Sequence, residues 1–236
     1  MARGTIQRKS YLNCSVGKWR EKVDQGTPGS TTRTTEPLDG SPGQVVTEIV
    51  DDYVEGEILD IRKTTHPEFG DKWEVFIQDG QQILVLQIRY DSGYAIAMLC
   101  KLPNVDLTRP VMFLPYFFPE EKKARMVLKQ EGIEIPSFYP KEDPKGFPTF
   151  TEGASKNEIA RWKLDVMDFL EDMIEQNLRP KLQGIPDTEQ ISAYEDRPQA
   201  PPRGGAPQTA QPGTATVSSV NQEGDPGPGE PDDLPF

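Results

Sequence analysis

The chain has 236 residues, of which 38 are acidic and 26 basic, giving a formal net charge of −12. Its 23 prolines, 20 glycines and hydrophobic fraction of 35% predict one domain with polar appendages rather than a fully packed chain. Two cysteines and one histidine are too few for a structural zinc site, and no run of about 18 apolar residues is present to span a membrane.

The charge is spread unevenly along the chain. Residues 1–33 hold seven basic and two acidic side chains, residues 187–236 hold two basic and nine acidic ones, and the part between them is also acidic. Nucleic acid could therefore bind only at local basic patches. The basic N-terminus, MARGTIQRKS, has no apolar stretch after it, unlike a secretory signal. We expect a cytoplasmic protein with reduced thiols.

The first elements in chain order are a short strand or hairpin and a loop. The segment YLNCSVGKWREKV, residues 11–23, has apolar residues in a pattern that fits strand structure. Residues 25–44, QGTPGSTTRTTEPLDGSPGQ, are rich in Gly, Pro, Ser and Thr and predict a long mobile loop.

Strand signals then crowd together. We predict strands over residues 54–64, 72–78 and 81–90, with Gly56 available for a bend or bulge in the first of them. The dipeptide Asp79-Gly80 tolerates the positive φ of a tight hairpin turn and joins the second strand to the third.

A short amphipathic helix follows in DSGYAIAMLCKLPN, with Asp91 or Ser92 as its cap and Pro103 as its stop. Two further strands are predicted over residues 110–118 and 122–129. A mainly β domain of five strands with a helix between the third and fourth is the layout of the OB-fold barrel, which typically binds oligonucleotides or oligosaccharides. The alternative is an unrelated small α+β sheet.

An additional C-terminal helix is predicted over residues 155–178. Ser155 and Glu158 have the spacing of a capping box, and apolar residues then recur at intervals of three and four to form one stripe. The stripe favours packing on the barrel, and a partner-binding or self-association helix is the alternative.

The chain from Asp187 onward is of low complexity. Its prolines and glycines, with few apolar side chains, predict a disordered acidic tail. We therefore divide the chain into a domain, residues 1–186, and a tail, residues 187–236.

No catalytic constellation is recognisable. The single histidine, His66, lies in a predicted loop without an identifiable nucleophile, and no phosphate-binding glycine motif or metal-ligand spacing occurs. We expect a protein that is not an enzyme and that uses neither cofactor nor metal.

Mixtures of cationic and aromatic residues recur in the chain, as binding of single strands requires. On the strand 72–78, alternation puts Trp73 in the core and leaves Phe76 on the polar face, where it could stack on a base. Packing in the core is the alternative for Trp19 and Tyr116, and plain solvation for Arg33. The candidate DNA-binding residues are Lys18, Trp19, Arg20, Arg33, Arg62, Lys63, Lys72, Phe76, Arg89 and Tyr116.

The chain ends on PDDLPF, where acids precede an aromatic residue that carries its own α-carboxylate. Such an end can insert its ring into a partner's pocket while a basic residue receives the carboxylate. The tip Asp232, Asp233, Leu234, Pro235 and Phe236 resembles that of bacterial and phage single-stranded DNA-binding proteins, which end in acids followed by Ile-Pro-Phe or Leu-Pro-Phe. The order of barrel, linker and tip is also similar, and residues 1–180 more closely resemble the phage-encoded type.

The resemblance implies a protein that binds and protects single-stranded DNA during replication, recombination or repair, in the host cytoplasm if phage-encoded. It also implies that residues 232–236 recruit replication and recombination proteins, and that the tail competes with DNA for a basic groove. The alternative is an OB-fold adaptor that binds proteins and does not touch nucleic acid, which the acidic body favours. A nuclease is poorly supported, because it would need clustered metal-binding carboxylates.

Overall fold

The computed structural model describes residues 9–35, 42–67, 70–150 and 153–185, and this part of the chain is mainly β. Its ten strands are β1 (Lys9–Ser15), β2 (Lys18–Lys22), β3 (Thr31–Thr35), β4 (Gln44–Asp51), β5 (Val54–His66), β6 (Gly70–Asp79), β7 (Gln82–Arg89), β8 (Val111–Phe118), β9 (Lys123–Gln130) and β10 (Ile133–Glu134). Its two α-helices are α1 (Gly93–Leu99) and α2 (Lys156–Met173).

The ten strands are hydrogen-bonded in the order β10-β9-β8-β5-β6-β7-β1-β2-β4-β3. Neighbours are antiparallel, except that β1 runs parallel to β7, with Lys9 opposite Ile83. The hairpin β1–β2 at the start of the chain therefore extends the sheet beside a strand that comes much later. The strand or hairpin predicted over residues 11–23 is confirmed as the hairpin β1–β2, whereas β3, β4 and β10 were not predicted.

The five strands predicted over residues 54–64, 72–78, 81–90, 110–118 and 122–129 are confirmed as β5, β6, β7, β8 and β9. Their β-branched and aromatic residues suit a pleated surface. The predicted hairpin turn at residues 79–80 joins β6 to β7, and Gly80 has a φ of +56°.

The prediction of a long loop over residues 25–44 was wrong at residues 31–35. Thr31–Thr35 forms β3, which pairs with β4 so that Arg33 lies opposite Val46. Four threonines with branched Cβ atoms favour the extended conformation. The strand also needs β4 as its partner, and a run of polar residues gives no sign of that pairing.

The irregularity expected at Gly56 lies slightly later in β5. The register with β6 shifts between Ile58 and Asp60, so Leu59 has no partner in the ladder. Gly56 has a different role, because a Cβ atom built there would lie 2.6 Å from the carbonyl oxygen of Gln78. Only glycine permits this close approach of β5 to β6.

The main hydrophobic core lies on one face of the strands and continues to the helices. The side chains of Trp19, Ile61, Trp73 and Phe113 are each at most 2% exposed. Trp73 therefore lies in the core, as the alternation of β6 predicted. The indole Nε1 of Trp19 donates a hydrogen bond to the carbonyl of Phe113 at 3.0 Å, which satisfies its one polar group.

Helix α1 lies between β7 and β8 and is entirely within the core from Tyr94 onward. Of its two candidate caps, Ser92 is the one used, and its hydroxyl accepts from the amide of Ala95. A Cβ atom at Gly93 would lie 2.5 Å from the carbonyl oxygen of Ala124, so a glycine here lets the helix start against β9.

Helix α2 begins with the predicted capping box, because Ser155 and Glu158 hydrogen-bond each other's backbone amides. Its apolar stripe packs into the main core through Trp162, Val166 and Leu170. Helix α2 therefore shares one core with the strands, and its packing on a closed barrel stays a prediction. No helix in the described ranges is both long and apolar enough to cross a membrane.

Candidate nucleic-acid interface

The register of β5, β6 and β7 brings several candidate residues to the face of the sheet opposite the main core. Residues paired across neighbouring strands point to the same face, as do residues two apart on one strand. Arg62 lies opposite Glu74, and Lys72 lies opposite Arg89. Phe76, two residues after Glu74, shares this face.

The same face continues across β1, β2, β4 and β3. Gln87 lies opposite Asn13, Asn13 opposite Arg20, and Arg20 opposite Val50. Alternation along β4 then leads from Val50 to Val46, which lies opposite Arg33. We call this surface the cationic face; its basic residues are Lys9, Lys18, Arg20, Lys22, Arg33, Arg62, Lys72 and Arg89.

Two of these cations share one buried carboxylate. Glu48 is 3% exposed, and it accepts hydrogen bonds from Arg20 Nη1 at 3.2 Å and from Arg33 Nε at 2.8 Å. Burial alone would raise the pKa of Glu48, but hydrogen bonds and charge attraction from Arg33 and Arg20 outweigh it and hold the pKa below its ordinary value. Two guanidinium groups on one carboxylate leave an excess of one positive charge.

The other candidate cations of this face are also paired with carboxylates, two in exposed pairs and two with carboxylates whose side chains are at most 13% exposed. Within the described part of the chain, Lys9 and Lys22 alone on this face have no carboxylate partner. The exposed pairs of Lys18 and Arg89 are weak and readily exchanged, so these two cations stay available to an incoming anion. Arg62 and Lys72 are held by carboxylates that are largely buried. The pairs are Lys18 with Asp52, Arg62 with Asp60, Lys72 with Glu74, and Arg89 with Asp91.

Two of the predicted residues, Trp19 and Lys63, lie on the core side of the sheet. Trp19 is fully buried in the main core, so a role in stacking on bases is excluded for the folded arrangement. Lys63 pairs with Glu171 of α2 and with Asp71, and its Nζ lies 4.3 Å from the centre of the Tyr90 ring. Hydrogen bonding to Glu171 raises the pKa of Lys63. Lys63 therefore fastens α2 to the sheet.

The expected exposure of Phe76 was wrong. Alternation does place Phe76 opposite the core face, but the ring is only 5% exposed. It belongs to a second apolar cluster with Leu59, Ile83 and Val85. Both faces of β6 are therefore buried at this point. The alternation of side chains along a strand shows which face a residue lies on, but not whether that face is covered.

Tyr116 is exposed, as base stacking requires. It lies on β8 with 42% of its surface accessible, and Phe118, two residues later on the same face, is 43% exposed. Tyr116 lies opposite Arg125 of β9, and Phe118 lies opposite Lys123. The two aromatic rings are therefore bordered by two cations, and we call these four residues the aromatic strand patch.

Phe118, Lys123 and Arg125 were not among the predicted site residues. Among the described residues, no carboxylate lies within ion-pair distance of Arg125, whereas Lys123 pairs with Glu121 at 3.1 Å. The signal was present in the alternation of PVMFLPYFF, whose even-numbered positions from 112 to 118 face outward. It was hidden because every residue of that run is apolar.

The turn between β1 and β2 joins the two surfaces. Gly17 has a φ of +69°, and a Cβ atom built on it would lie 2.8 Å from the backbone nitrogen of Phe117. The Gly17 amide also donates to the hydroxyl of Tyr94 at 2.7 Å, which ties the turn to helix α1. Lys18, the next residue, therefore lies at the border between the cationic face and the aromatic strand patch.

The described residues contain neither a metal-ligand cluster nor a reactive thiol. No group of three or more His, Cys, Asp and Glu among them could hold a metal ion. Burial raises the pKa of the Cys100 thiol to about 12 and also raises that of Cys14, so both stay protonated at neutral pH.

A scan against protein-family models, a search of curated proteins and a search of solved structures each found no match to this chain. The predicted tail, residues 187–236, and its tip, Asp232, Asp233, Leu234, Pro235 and Phe236, lie outside the described residues.

Proposed function

We propose that this protein binds single-stranded DNA without strong sequence preference. The cationic face follows the phosphates and the aromatic strand patch stacks on bases. One observation carries the proposal: the strand register gathers the cations of six strands, dispersed from Lys9 to Arg89 in the sequence, on one side of the sheet. Single-strand binders combine such a tracking surface with aromatic platforms.

The strand order supports an OB-type arrangement within the larger sheet. Counted from β5, the chain runs through three strands, α1 and two further strands, and β8 pairs back to β5 through Val54 opposite Phe113. A helix between the third and fourth of five strands, and a fourth strand beside the first, are features of this fold. In this proposal β1, β2, β3 and β4 form an extension that enlarges the binding surface.

We also propose, from the resemblance of the tip, that residues 232–236 recruit proteins of replication, recombination and repair. The acids steer the tail toward basic partner surfaces, and Phe236 anchors it. The phage-encoded type of single-stranded DNA-binding protein, working in the cytoplasm of its host, is the family that this combination favours.

The decisive experiment is a titration of fluorescent oligo(dT) with the full chain at low and at high salt. Binding that weakens steeply with salt is expected, since cations displace counterions from the phosphates. Absence of binding at low salt, or binding indifferent to salt, contradicts the proposal.

A second candidate function is a protein-binding adaptor that does not touch nucleic acid. The carboxylate partners of Arg20, Arg62 and Lys72 favour it, because they reduce the net charge of the face. In that case neither native protein nor tail-truncated protein would bind oligo(dT), while partner capture would still depend on residues 232–236.

A further inference from the structure

The cationic face contains a small apolar cluster that is separate from the main core. Leu59, Phe76, Ile83 and Val85, from β5, β6 and β7, are each at most 6% exposed. They lie on the side of the sheet that otherwise carries charged side chains. Apolar groups in such a place stay out of water only if another segment covers them.

The cover comes from Tyr11 of β1 and from the chain that follows α2. After the helical turns Ile174–Leu178 and Arg179–Lys181, the backbone amide of Gly184 donates to the carbonyl of Leu59 at 3.0 Å, and Ile185 packs on the cluster. Leu59 is the residue at the register shift of β5, so its carbonyl is available for this bond. We call residues 182–185 the strap.

The strap is held by few contacts. Among the described interactions, the Gly184 bond is the one main-chain hydrogen bond that joins it to the sheet. Leu182 packs on the main core at the start of the strap, Ile185 is only partly buried, and Gln183 is exposed. Segments with so few buried contacts open at a small cost in free energy, well below that of global unfolding.

The ring beneath the strap has the surroundings of a base-binding site. Lys9 Nζ lies 5.9 Å and the Arg62 guanidinium 5.3 Å from the centre of the Phe76 ring. An aromatic floor flanked by cations can take a nucleobase on the ring and its phosphate on the cations. The charge of these neighbours favours an anionic strand as the occupant.

We infer that single-stranded DNA displaces the strap and that Phe76 then stacks on a base. This inference rests on the proposed function of the cationic face. The strap and the DNA strand compete for the same apolar cluster. The observed DNA affinity is therefore the affinity of the open form multiplied by the fraction of molecules in which the strap is open. The burial of Phe76 and its predicted role in binding are then two states of one site.

The test compares oligo(dT) affinity among native protein, Ile185→Ser, Phe76→Leu and the double variant. Loosening the strap by Ile185→Ser should strengthen binding about three- to tenfold, because more molecules are open. Phe76→Leu keeps the cluster apolar but removes the ring, so it should abolish that gain in the double variant. Gln183→Ser, an exposed change in the same segment, is the matched control and should bind like native protein.

Hydrogen exchange on the native chain gives an independent readout. Saturating oligo(dT) should increase exchange across residues 182–185, since the Gly184 amide loses its acceptor. Tight binding by native protein with unchanged exchange there, no gain from Ile185→Ser, or a gain that survives Phe76→Leu, each overturns the inference while leaving the proposed function intact. Absence of binding by native protein and by all the variants overturns both.

Discussion

Replacing Arg62 and Lys72 together by glutamine should weaken DNA binding in a salt-dependent way. The two residues lie on adjacent strands of the cationic face, and their side chains are 48% and 22% exposed. Each phosphate contact with a single strand contributes about 0.7 to the slope of log affinity against log salt concentration. Losing both contacts should therefore lower the magnitude of the slope by about 1.4.

The same slope gives the expected loss of affinity. With the affinity at about 1 M salt held equal, a slope smaller by about 1.4 corresponds to roughly 60-fold weaker binding at about 50 mM salt. This is an upper bound, because Arg62 already pairs with Asp60 and Lys72 with Glu74, so part of each charge is neutralised before DNA arrives.

The assay is a titration of fluorescent oligo(dT) over a series of salt concentrations. The matched control replaces Lys156 and Arg161, which are exposed on α2, by glutamine and so removes the same two charges from another surface. If the control loses as much slope as the Arg62 and Lys72 variant, the effect comes from net charge, and the reasoning from strand register is refuted.

Three other changes test separate parts of the structure. Tyr116→Ala and Phe118→Ala should each weaken oligo(dT) binding by about 1–3 kcal/mol if each ring stacks on a base, with unchanged melting temperature; normal affinity in both would remove the aromatic strand patch from the site. Glu48→Gln should lower the free energy of unfolding by about 3 kcal/mol, because Arg20 and Arg33 lose their shared charge. Because the pKa of Glu48 is lowered in the folded protein, Glu48 contributes its full stability above the ordinary carboxyl pKa of about 4.3, and this contribution is lost as pH falls through the folded-state pKa. Urea melts of native protein should therefore show a loss of folding stability in acid that the Glu48→Gln variant lacks. Trp19→Phe should cost about 1–3 kcal/mol by leaving the Phe113 carbonyl without its donor, measured by the same melts, and equal stability would show that this bond contributes nothing.

The elements of the fold were largely predictable because their signals are local. The alternation in KWEVFIQ set β6 and placed Trp73 in the core, and the spacing of Ser155 and Glu158 marked the start of α2. The strand Thr31–Thr35 was missed because its stability comes from β4, a partner that a polar run does not specify.

The site was predictable in its residue types and not in its arrangement. Neighbouring cations such as Arg62 and Lys63 look equivalent in the sequence, yet strand geometry sends them to opposite faces, one to solvent and one to Glu171. Phe76 was placed on the correct face, but its cluster is covered by Tyr11 and by Ile185, which are 65 positions before it and more than a hundred positions after it in the sequence. Long-range register and packing decide both outcomes.

The parallel pairing of β1 with β7 has a consequence for how the chain folds. Residues 9–15 leave the ribosome early, but their place in the sheet exists only after residues 82–89 have been made. Until then β1 and β2 can pair only with β4 and β3, which lie beside β2, and the other edge of β1 has no partner. Contacts between such distant segments slow folding. The cationic face therefore becomes continuous late, when β1 pairs with β7 and joins the strand of Lys18 and Arg20 to the strands of Lys72 and Arg89.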